Sequence, residues 1–271
     1  MAKSDKLFVV IDPTLQKHVA LERAINIAKS ASNTPHIVIF ISVDATRVDD
    51  KPSNKNLYRD SDWLEKEICG PLKLNEIDFD IHFSWCSNWA GALMQAAASS
   101  GATMILMRAT TTVDSFFQFN FGKWNVFKNS KCPVLLVSGE APTQPGVILA
   151  AVKWQTQNGE QKLLNRKILE AAQAASSGVG YQLNVVNAYR DSMSHPDRGA
   201  LMRGADVPNS RIHITRGEPI KVVASVALGT QAELVVVGTK GHSYGSTKTQ
   251  PAKIERLLSL IDVDVLVVNS K

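Results

Sequence analysis

The chain has 271 residues, 44% of them hydrophobic, enough for one large core or for two smaller ones of domain size. No apolar run approaches the roughly 20 residues of a bilayer span, and Met1-Ala2-Lys3-Ser4-Asp5-Lys6 leads into a short strand-like run instead of a secretory core, so a cytoplasmic protein without membrane contact is expected. The formal net charge of +5 falls in the second half, with 15 basic and 15 acidic residues over 1–140 against 15 and 10 over 141–271, yet the basic residues are scattered, which argues against nucleic acid and for a solvated surface or a phosphate-bearing small ligand.

In chain order, Leu7-Phe8-Val9-Val10-Ile11-Asp12 predicts a buried strand. Ala20, Leu21, Ala24, Ile25, Ala28 and Ala31 then recur at helical spacing, and a second strand is expected over 37–41. A helical stretch follows over 58–74, then a strand over 80–85, an alanine-rich helix around 93–98, and strands over 103–107 and 133–137. Cys69, Cys86 and Cys132 are odd in number and widely spaced, so they are read as reduced thiols and not as a disulfide framework or a metal site.

After the Gly- and Pro-containing stretch Gly139-Glu140-Ala141-Pro142-Thr143-Gln144-Pro145-Gly146, which suits an exposed connector, the pattern repeats. Its strand over 147–152 is followed by a helix carrying Leu164, Ile168, Leu169, Ala172 and Ala175, then by strands over 181–186 and 211–216, a helix over 222–228, and strands over 233–237 and 264–268. The second copy is expected to lack a counterpart of the helical stretch over 58–74. Two domains are therefore expected, 1–140 and 146–271. Each is an α/β, doubly wound, mostly parallel sheet with helices on both faces, and ligands belong beyond the carboxyl ends of its strands.

The most specific short motif is Gly238-Thr239-Lys240-Gly241-His242, directly after a predicted strand. Two glycines three apart let a backbone turn tightly and approach a phosphate, while successive N–H groups and Lys240 supply positive potential. Val152, closing the second copy's first strand, is grouped with them as a candidate nucleotide contact. A plain strand-to-helix loop fits the same residues. Asp12 has two readings, a ligand contact or a turn residue ahead of Thr14. Phe116, Phe117, Phe119, Phe121, Trp124 and Trp89 can line an apolar pocket or pack as core.

The order strand, GTKGH loop, helix and strand, with Ile254-Glu255-Arg256-Leu257-Leu258 and Asp264-Val265-Leu266-Val267-Val268, resembles the end of universal stress protein domains. Arg216-Gly217-Glu218-Pro219 is similar to the family's turn before its third helix. Val9-Val10-Ile11-Asp12-Pro13, Trp85, Trp124 and Lys131-Cys132-Pro133-Val134 resemble the E-type tandem members. The resemblance implies two Rossmann-like, adenine nucleotide α-hydrolase-like domains forming an internal pseudo-dimer, and ATP or AMP held through G-x2-G-x9-G-[S/T]. The chain departs from that pattern: Pro251-Ala252 stand where the final pair is expected, and the first half has Arg108-Ala109-Thr110-Thr111 in place of the loop. Lys153 replaces the acid that Asp12 supplies in the first copy.

With no nucleophile, base or metal signature, the expectation is a non-enzymatic ligand-binding or signalling module of the bacterial stress response, with no metal and a partial nucleotide site in the second half. The alternatives are a weak ATPase of the second domain and an interaction scaffold that binds an apolar ligand, a protein partner or a second copy.

Overall fold

The computed structural model describes residues 5–44, 60–109, 126–127, 129–139, 146–177, 180–240 and 251–270. The chain divides into two compact units, Met1–Ala141 and Pro142–Lys271.

The first unit carries a parallel five-stranded sheet in the order β3-β2-β1-β4-β5, made of β1 (Lys6–Ile11), β2 (His36–Asp44), β3 (Phe79–Cys86), β4 (Met104–Arg108) and β5 (Val134–Val137). Central parallel strands are covered on both faces, which is why they read as unbroken apolar runs. Phe8, Val9, Ile37, Ile39 and Leu106 are fully buried, and the Phe8 and Phe40 rings lie 5.4 Å apart. The helix Val19–Ser30 turns Ala20, Leu21, Ala24, Ile25 and Ala28 inward, as its spacing predicts.

The stretch expected to be helical contains a local irregularity with an identifiable cause. It runs as α-helix over Ser61–Trp63, as π-helix over Leu64–Cys69 and as α-helix again over Gly70–Leu74. Pro71 has no N–H for the carbonyl four residues back, and its ring crowds that carbonyl, so the preceding turn widens. The Gly70 N–H reaches the Glu65 carbonyl five residues earlier, a spot where an added Cβ would lie 3.0 Å from that oxygen.

The second unit repeats the plan. Its sheet runs β8-β7-β6-β9-β10, built from β6 (Val147–Val152), β7 (Gln182–Tyr189), β8 (Ile212–Arg216), β9 (Ala232–Thr239) and β10 (Asp264–Asn269), all parallel. The order is the first unit's strand for strand, so the doubly wound architecture holds in each. The helices Gly159–Ser177, Pro219–Gly229 and Pro251–Leu258 connect them.

One expectation is overturned. The second copy does have a helix between its second and third strands, Arg198–Ala205, opened by the Asp197 side chain accepting from the Ala200 N–H. Its eight residues bury only Leu201 and Ala205, and glycines at 199 and 204 weaken its helical signature, so no periodicity announces it.

Candidate functional site

In each unit the strand order reverses between the first and fourth strands, and the crevice beyond their carboxyl ends is where this fold receives ligands. In the second unit that crevice lies at the ends of β6 and β9. In the first it lies at the ends of β1 and β4.

At the second crevice the loop after β6 is tied down by two buried asparagines. Asn165, on the buried side of the helix Gly159–Ser177, accepts from the Lys153 N–H at 3.1 Å and donates to the Lys153 carbonyl at 2.8 Å. Asn187, buried in β7 two residues before its end, accepts from the Trp154 N–H at 2.7 Å. The Trp154 ring then lies against Gly204, where an added Cβ would stand 2.3 Å from the ring edge. Val152 is buried below this loop.

From β9 come Gly238, Thr239 and Lys240. Thr239 is buried, and its carbonyl accepts from the Ser270 N–H. Gly238 faces the Gly159–Ser177 helix, and a Cβ there would lie 2.7 Å from Ile168 Cδ1 and 2.7 Å from Leu164 Cγ. Close helix packing is thus the structural demand on this glycine. Lys240 Nζ lies 3.9 Å from Glu160 Oε2, and the other oxygen of that carboxylate accepts from Ser270 Oγ at 3.3 Å. Gly241 and His242 lie outside the described residues, as do Phe116, Phe117, Phe119, Phe121 and Trp124. Pro251 opens the final helix, a position that needs no N–H.

At the first crevice Asp12 is buried and its Oδ1 accepts from the Thr14 N–H at 2.9 Å and the Thr14 hydroxyl at 2.6 Å, an Asx-type turn. Asp12, Lys17, His18 and Arg108 help line a cavity of about 20 Å³, room on the order of one water. The His18 ring meets Trp63 edge-on at 5.6 Å, so the inserted helical stretch reaches the rim of this crevice. Trp89 is buried core.

The remaining titratable features stand apart from both crevices. Burial pushes the Cys132 thiol up, and burial together with the Glu65 carboxylate raises that of Cys69, so neither is primed as a nucleophile at neutral pH. All three cysteines are free. Burial and then the Arg198 guanidinium hold His213 below its ordinary value. Among the described residues no group of three or more His, Cys, Asp or Glu side chains could hold a metal ion, and no helix is long and apolar enough to cross a membrane.

Sequence reasoning missed Glu160, Asn165, Asn187 and Trp154. The asparagines had a signal, since Asn165 interrupts the apolar face beside Leu164 and Ile168 and Asn187 follows the apolar pair Val185-Val186 within a strand. Glu160 had none, because an acid in a first helical turn is common.

No family model matches the chain. The universal stress protein E homolog of Haemophilus influenzae is 21% identical over 305 residues, covering 97% of this chain and 97% of its own length. The chain is similar to universal stress protein E along nearly its whole length. The Escherichia coli K12 protein of that name is likewise 21% identical over 301 residues, covering 99% of this chain and 95% of its own. The crystal structure of a universal stress protein from Archaeoglobus fulgidus superimposes with a TM-score of 0.72 at 17% identity, across 98% of this chain and 97% of that one. The similarity to the universal stress proteins thus runs through both units.

Proposed function

We propose that this universal stress protein relative is a non-catalytic ligand-binding module of a stress response, and that its second unit takes an adenine nucleotide, AMP or ATP, at the crevice beyond β6 and β9. The observation that carries the reading is Lys240, delivered by the end of β9 to the switch point, beside the amino end of the Gly159–Ser177 helix. A helix amino end and a cation together favour a phosphate. Among the described residues around them Ser270 Oγ donates to Glu160 Oε1 at 3.3 Å, but no cluster of metal-ligating side chains stands beside that pair, as efficient phosphoryl transfer would use. Burial raises the Cys69 and Cys132 thiols, so neither adds a nucleophile.

Calorimetric titration of the intact chain with AMP and with ATP tests this. Binding in the micromolar to low millimolar range that is lost in Lys240→Ala, with unchanged thermal unfolding, is the expected result. Silence with both nucleotides at millimolar concentration overturns it. Sustained phosphate release by purified protein, abolished by Lys240→Ala, would favour a weak ATPase instead.

A further inference from the structure

At the crevice of the second unit Lys240 and the amino end of the Gly159–Ser177 helix attract an anion, and both are already answered from within the chain. Glu160 stands in the first turn of the 19-residue helix Gly159–Ser177, where a negative charge is favoured by the helix's exposed N–H groups. Its Oε2 faces Lys240 Nζ at 3.9 Å and its Oε1 takes the Ser270 hydroxyl at 3.3 Å, so each oxygen has its own partner and the carboxylate is held in place. The three residues come from the helix, the end of β9 and the end of β10, and they meet at the carboxyl edge of the sheet.

We propose that Glu160 is a resident counter-anion that sets the charge of the ligand this crevice accepts. It selects a nucleotide with few phosphate charges over a triphosphate. The inference rests on the nucleotide reading of the same site. A ligand phosphate approaching Lys240 meets the carboxylate's negative charge, and each further phosphate adds to that repulsion. Because Lys240 and Glu160 keep about a third and a half of their side-chain surface exposed, 32% and 48%, the effect is screened and moderate. Replacing the carboxylate by the isosteric amide removes the repulsion, keeps one acceptor oxygen for Ser270 and gives up the ion pair with Lys240.

The test is calorimetric titration of AMP and ATP into the intact wild-type chain, Glu160→Gln and Glu160→Asp, with thermal unfolding as a control for folding. The wild type should bind AMP at least as tightly as ATP. Glu160→Gln should tighten ATP by about five- to tenfold and AMP by clearly less, so that the preference reverses, and Glu160→Asp should keep the wild-type preference. Equal ATP affinities in the wild type and Glu160→Gln overturn the role of Glu160 and leave the nucleotide reading standing. No heat with either nucleotide in any of the three proteins overturns both.

Discussion

A glycine at the carboxyl end of a strand answers either of two demands, an open approach for a ligand or a close approach for a helix. At Gly238 the helix decides, since Ile168 and Leu164 fill the space that a side chain would take. Gly238→Ala should therefore destabilise the protein by about 1–3 kcal/mol through overpacking, whether or not nucleotide is present. Urea unfolding read by circular dichroism checks this, and an unchanged midpoint would return the glycine to a ligand role. Asp12 shows the same division of labour: its carboxylate serves the turn at Thr14. Its second-unit equivalent, Lys153, has its backbone held by Asn165, so the side-chain swap between the copies alters the charge at the crevice and hands the anchoring of the loop to a helix residue. A short motif names the residue types a loop contains. Which of two uses each serves depends on what packs behind it.

Among the elements, the strands were the most legible. Their apolar runs follow from burial on both faces, and that burial leaves a mark on every residue. The longer helices were legible through spacing, as in Val19–Ser30 and Gly159–Ser177. Arg198–Ala205 was not, because two buried residues make no period. So short an element depends on its cap. Asp197→Ala should cost about 1 kcal/mol, and amide exchange should quicken over 198–205 while the β6 and β9 amides keep their protection; uniform protection across both would count against the cap's role. The π-helical turn over Leu64–Cys69 is legible only in retrospect, from Gly70-Pro71 inside a helical pattern.

For the whole molecule, the duplication means that each unit owns a complete sheet with a core of its own. Taken singly, the first unit's sheet ends on β5, Val134–Val137, and the second's on β10, Asp264–Asn269, both strongly apolar. An apolar strand left at an open edge pairs with whatever strand it meets. Residues 1–140 and 146–271 expressed separately should self-associate or precipitate, and sedimentation velocity would show it; two soluble monomers would contradict the expectation. The alternation of strand and helix, written twice in the same order, was enough by itself to establish a tandem α/β protein, because local periodicity reports burial residue by residue. The chemistry of the crevice was decided by the tertiary structure alone. Glu160, Lys240 and Ser270 are joined by chain reversals, not by spacing, and contacts between such distant residues leave no periodic trace in either segment.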